Sequence, residues 1–246
     1  MRIIMTVAIF SVLTACSEQE RASSPSVAPI QSMVVAASSV AATTPRKLTE
    51  LEKHEPAEIA KSEGLVNRAG KTLSLHLLSG KMLELNNLEP CEDYGNCLLY
   101  TYRGLVADKQ FFLVNVDHYE GGEVLLISRK TGEQVDTVDE PYVSPDGKLI
   151  VSASDNEAYS DAGVFLWEIV NGGLVSRFHF VPSDYQLYKF IRWIDADRME
   201  LIKTTSPPEG LCSENTLAEY PVHLVKNKDN KWSLEAMSDK GKCLAN

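Results

Sequence analysis

Four times along this chain an alternating apolar run reaches a turn-forming segment and comes back as a second run. Residues 72–77 (Thr-Leu-Ser-Leu-His-Leu) turn at Ser79-Gly80 and return over 82–85, and residues 124–128 pass Thr131-Gly132 to 134–138. Residues 164–169 reach Asn171-Gly172-Gly173 and return over 174–181, and residues 222–225 pass the polar stretch 227–230 to Trp232-Ser233-Leu234. Period two sends successive side chains to opposite faces of an extended chain, and Gly, Asn and Asp tolerate the left-handed backbone of tight turns. Each pattern is therefore a β-hairpin. Further strands fit at 111–116, 149–154, 190–194 and 199–203. The body of the chain is expected to be all-β.

The segment Ser144-Pro145-Asp146-Gly147-Lys148, followed by Leu149-Ile150-Val151 and later by Val164-Phe165-Leu166-Trp167, places proline second in a turn and glycine where φ turns positive, ahead of a buried strand. It resembles one blade of a TolB-type or WD-repeat β-propeller, and Arg192-Trp193-Ile194-Asp195-Ala196-Asp197 is similar to a second copy of the turn. The resemblance implies a propeller-like fold of about four blades, possible as an incomplete ring, since about three full blades and a hairpin are assignable. An irregular β-sandwich built from the same hairpins is the alternative. Tyr119-Glu120-Gly121-Gly122-Glu123 resembles a stretch of uncharacterised bacterial envelope proteins, which implies no particular activity.

The front of the chain is organised differently. Arg2 is followed by an apolar run over 3–13, too short to cross a bilayer of about 30 Å as a helix but suited to an export signal. The run ends in Leu13-Thr14-Ala15-Cys16, which resembles the lipobox of bacterial lipoproteins. That resemblance implies a signal peptide over 1–15, removed before Cys16, and attachment to the lipid bilayer through acylated (palmitoylated) Cys16. Ser17, where inner-membrane retention would favour aspartate, implies the outer membrane, with the protein facing the periplasm. Residues 16–47 are rich in Ser, Ala, Val, Thr and Pro, and from Ser17 onward contain no aromatic residue and no glycine. Such a segment buries too little apolar area to offset its ordering entropy and reads as a disordered tether reaching on the order of 30 Å.

Over 48–63, Thr49 and Glu52 have capping-box spacing while Pro56 interrupts the run, so a short or broken amphipathic helix is expected ahead of a main domain over 64–246. Eighteen of the chain's nineteen aromatic residues lie from Tyr94 onward, so the dense core belongs to the C-terminal part. With 34 acidic against 24 basic residues and a net charge of −10, the chain lacks the basic patch that nucleic-acid binding requires.

Beyond Cys16 four cysteines remain, and four allow three pairings. Cys91 with Cys97 and Cys212 with Cys243 are favoured, as disulfides of an oxidising compartment. Their spacing suits neither zinc nor a redox Cys-x-x-Cys pair. Gly70-Lys71-Thr72 lacks a correctly placed upstream glycine and leads into a strand, so it is not a phosphate loop; His54-Glu55 runs into Pro56 without a second histidine. No cofactor motif is present.

Two loops mix carboxylates with tyrosine: Asp117, His118, Tyr119, Glu120 and Glu123 in the first, and Asp155, Glu157, Tyr159 and Asp161 in the second. If blades stack in parallel, both loops gather on one face. The expected function is a non-catalytic binding module of the envelope, a scaffold or an immunity-type inhibitor, engaging an envelope or secreted protein. The alternative is a hydrolase or lyase acting on envelope glycan or peptide, with Glu120, Glu123, Asp155 or Asp161 as acid and base.

Overall fold

The computed structural model describes residues 49–89, 91, 97–155, 163–213, 216–238 and 240–244. Helix α1 (Glu50–Lys61) starts at a reciprocal cap: Thr49 Oγ1 accepts from the Glu52 amide, and the Glu52 carboxylate accepts from the Thr49 amide at 2.7 Å. The helix is short, as expected, and runs unbroken through Pro56. The reason is Glu55, buried under the helix. Its Oε1 accepts from the Tyr102 amide at 2.7 Å, and its two oxygens receive the Arg68 guanidinium at 2.6 and 3.0 Å. This anchor offsets the hydrogen bond that Pro56 removes.

Four antiparallel sheets follow in chain order. The first is β1 (Val66–Ala69), β2 (Thr72–His76) and β3 (Met82–Asn86); the second is β4 (Leu98–Val106), β5 (Phe111–His118), β6 (Gly122–Ser128) and β7 (Gln134–Asp136). The third is β8 (Pro141–Val143), β9 (Leu149–Ala153), β10 (Val164–Val170) and β11 (Gly173–Phe180). The fourth is β12 (Gln186–Asp195), β13 (Arg198–Thr205), β14 (Ala218–Lys226) and β15 (Trp232–Ala236), with β16 (Lys242–Cys243) pairing the start of β14. Within each sheet, strands pair with their neighbours in sequence, and no described strand crosses between sheets as a Greek-key sandwich requires. The fold is all-β and propeller-like, a series of four meanders of which the first has three strands.

Alternation along the strands explains how the sheets stack. On β5, Phe112, Val114 and Val116 pack toward Leu73, Leu75 and Leu85 of the first sheet, while Phe111 and Leu113 pack toward Ile150, Phe165 and Trp167 of the third. On β9 and β10, Val151, Val164 and Leu166 turn the other way, onto Tyr188, Met199, Leu201 and Leu224 of the fourth. The second and third sheets are thus buried on both faces, which is why their strands read as nearly continuous apolar runs. These three clusters join the sheets in series, and none of them unites the first with the fourth.

The two ends of the strands differ. One end carries tight turns. Asn171 (φ 53°) and Gly172 (φ 77°) join Val170 to its register partner Gly173 in a two-residue turn, and Gly147 (φ 71°) closes the Ser144–Lys148 turn with its amide on the Ser144 carbonyl at 2.9 Å. The other end carries the three longest connections, 87–97, 154–163 and 206–217, together with the shorter ones 119–121, 137–140 and 181–185.

Candidate functional site

The long-connection end brings together most of the described candidate residues. After β5 the chain reverses with the His118 amide on the Gly121 carbonyl at 3.0 Å. Gly122 is required there, because a Cβ would stand 2.8 Å from the Val116 carbonyl oxygen. Val116 is the register partner of both Tyr100 on β4 and Glu123 on β6, so these three share a row, with His118 two residues along on the same face. His118 Nε2 lies 3.6 Å from Glu123 Oε1. Asp136, on β7 opposite Leu125, lies beside the Glu123 carboxyl. Burial, then the negative charge of Asp136, raise the Glu123 pKa, while His118 opposes the shift. Tyr100 is raised by burial and by Glu123. The result is a Glu123 carboxyl that holds its proton more readily than usual, flanked by an imidazole and a phenol.

Of the rest of this loop, Asp117 Oδ1 accepts from Asn115 Nδ2 at 2.9 Å, and Tyr119 is 45% exposed. Glu120 is exposed.

A second group lies where the third sheet meets the fourth. Asp155 Oδ2 is 3.0 Å from Lys189 Nζ on β12, and the hydrogen bond and charge of Asp155 raise the lysine pKa. Beside it the Tyr142 ring, on β8, stacks on Phe190 with centroids 4.3 Å apart. The Tyr142 hydroxyl is raised by burial and by Glu140 and Asp139. Glu140 in turn receives Arg103, from the bulge in β4, at 2.6 Å. The carboxylates picked out from the sequence therefore fall into two groups with different partners: Glu123 answers to Asp136 and His118, Asp155 to Lys189. Glu157, Tyr159 and Asp161 lie outside the described residues, as do Cys16 and the whole of residues 1–48.

Both cysteine pairs meet in disulfides, Cys91 with Cys97 (Cα–Cα 4.3 Å) and Cys212 with Cys243 (5.8 Å), and both are at this end. The second ties the 206–217 connection to β16. Among the described residues, no group of three or more His, Cys, Asp or Glu side chains is placed to hold a metal ion.

Asp136, Lys189, Tyr142 and Phe190 were not singled out from the sequence. Strand register would have found Asp136, two places along the same face from Glu123. The other three depend on contacts between sheets, for which a single sequence carries no local signal.

No family model matches the chain, and no curated protein matches it. Among solved structures it is similar to one described as TolB from Agrobacterium tumefaciens, at 12% identity and a TM-score of 0.31. The match covers 72% of this chain and 62% of that one, so this chain spans less than two thirds of its length.

Proposed function

We propose that this protein is a lipid-anchored, non-catalytic binding module of the bacterial cell envelope, held at the outer membrane through acylated Cys16. Its long-connection end engages a protein partner that presents a basic surface. The observation that carries the reading is the asymmetry of the two ends: the three longest connections, both disulfides and the described candidate residues all lie at one of them. Rigid strands that present variable loops at one end are a common way to build a recognition surface. Asp139, Glu140, Asp155, Glu120 and Glu123 give that end an acidic character, and the Tyr142–Phe190 stack supplies an aromatic anchor. Disulfides and an export signal agree with an oxidising compartment.

A test uses the full chain, expressed with its leader, as bait in envelope extract. The expected result is a saturable partner, weakened by salt and lost in a Tyr142→Ala/Asp155→Lys variant that still folds. Capture that is indifferent to that variant and to salt refutes the surface assignment. Cys16→Ser is expected to release the protein from the membrane fraction. The raised Glu123 pKa beside Asp136 favours a second reading, a carboxylate-dependent hydrolase or lyase. Turnover of a glycan or peptide that is abolished by Glu123→Gln would establish it in place of the first.

A further inference from the structure

At the tight-turn end, the third and fourth sheets part to leave a cleft of about 600 Å³. This lies within the range of small-molecule sites, about 300–1,000 Å³. Trp232 and Leu149 line it as its apolar part, while Asp146, Lys148, Glu168, Arg177, Asp197, Lys226 and Asn230 supply polar groups. Three acids face three bases, so the lining is neutral. Each charge is already engaged: Lys148 with Asp146 at 3.4 Å, Arg177 Nε with Glu168 Oε2 at 2.7 Å, and Lys226 with Asp197 at 3.3 Å.

We infer that this cleft binds a neutral saccharide. An anion entering it would meet three carboxylates, and a cation three basic groups. A zwitterion would have to separate pairs that already satisfy one another. A hydroxyl both donates and accepts, so neighbouring hydroxyls of a sugar can accept from the spare N–H groups of Arg177, Lys226 and Asn230 while donating to the free lone pairs of Glu168 and Asp197. None of the three pairs need open. The indole of Trp232, 8% exposed, offers a small apolar contact for a sugar C–H face. Asn230 sits in the β14–β15 turn with φ 60°, its amide on the Asn227 carbonyl at 3.0 Å. The backbone therefore fixes where its side-chain amide is presented. This site is at the opposite end of the strands from the protein-binding surface and does not depend on it.

The test uses the full chain in a polyoxyethylene detergent without sugar headgroups, with cellobiose, chitotriose and maltotriose as probes. Diglycine and inorganic phosphate serve as the charged controls. Tryptophan fluorescence and saturation-transfer NMR report binding. The expected result is saturable binding of at least one oligosaccharide and of neither control. Glu168→Gln, which keeps the shape and removes the charge, and Asn230→Gly, which keeps the left-handed turn and removes the amide, are each expected to weaken it at least tenfold. Unchanged melting temperatures show that the variants fold, and if Glu168→Gln melts early, Asn230→Gly decides. No saturable binding of any of the three sugars, binding indifferent to both variants, or preference for diglycine or phosphate overturns the inference.

Discussion

Replacing Glu55 with alanine is expected to be among the most damaging single changes in the chain, although the sequence presents it as one more acid on a polar helix. Glu55 is 9% exposed, and its carboxylate satisfies three donors: Arg68 Nε at 3.0 Å, an Arg68 terminal nitrogen at 2.6 Å, and the Tyr102 amide at 2.7 Å. Among the described residues, Arg68, 19% exposed at the side chain, would keep only the Tyr100 carbonyl at 2.5 Å. Leaving a buried charge uncompensated costs about 3–5 kcal/mol. Orphaning a buried amide costs about 1–3 kcal/mol. One carboxylate serves both, so the costs overlap, and about 4 kcal/mol is expected. At roughly 2–4 °C per kcal/mol for a unit of this size, the melting temperature should fall by about 8–16 °C. Glu55→Gln keeps an oxygen for the Tyr102 amide and should lose less. Glu52→Ala, which removes only half of an exposed cap, should lose about 1 kcal/mol. Thermal and urea unfolding of the three variants measure this directly. A loss for Glu55→Ala no larger than that for Glu52→Ala would refute the anchor.

Three further outcomes are expected. The raised pKa of Glu123 means that its contribution to stability is fully present below the ordinary glutamate value and is lost as pH rises through the folded value; Glu123→Gln should therefore flatten that part of the pH–stability profile and cost nothing at neutral pH, and a profile unchanged by the substitution counts against the Asp136 pairing. Opening Cys212–Cys243, with 31 residues of separation, should cost about 4 kcal/mol on loop-entropy grounds, whereas opening Cys91–Cys97, with a separation of 6, should cost about 2 kcal/mol; paired serine substitutions unfolded in urea give the comparison, and the reverse order would refute it. Ser144→Ala removes a buried hydroxyl that donates to Asp146 Oδ1 at 2.7 Å and accepts from the Leu149 amide at 2.9 Å, so a loss of about 1–3 kcal/mol and a return of the Asp146 pKa toward its ordinary value are expected by calorimetry and NMR titration.

The hairpins were legible because their information is local. Asn171-Gly172 and Gly147 each announce a turn by residue type, and the strands beside them alternate. What escaped the sequence had no such signal. The turn from β4 to β5 uses Ala107, Asp108 and Lys109, all with positive φ and with no glycine among them, so β4 was not recognised as a strand although β5 was. β1 and β8 are too short, at four and three residues, for alternation to stand out. Whether the helix breaks at Pro56 was left open because the helix rule is local, whereas the group that holds the helix together, Arg68, is 13 residues away from Glu55. The candidate site was half legible for the same reason. The loops were visible, and the partners that decide their chemistry, Asp136 and Lys189, come from other strands.

This architecture also explains where polar chemistry can sit. A central sheet buried on both faces has no room for a charged side chain in mid-strand, because an unpaired charge there would lose its hydration without compensation. β9 and β10 accordingly keep Ile150, Val151, Val164, Phe165, Leu166 and Trp167 in the two cores they separate. Ionisable groups are displaced to strand ends, where solvent begins: His118 ends β5, Glu123 begins β6, and Asp136 ends β7. At the opposite end Glu168 and Lys226 lie near the close of β10 and β14, beside turns. Two separate polar surfaces at the two ends are therefore the expected consequence of stacking meanders face to face. A substitution that moved either surface by altering mid-strand packing, such as Leu166→Ala, should cost about 2–5 kcal/mol in stability before it changed any binding preference. Function in this fold is tuned at the termini of strands whose middles have no freedom to change.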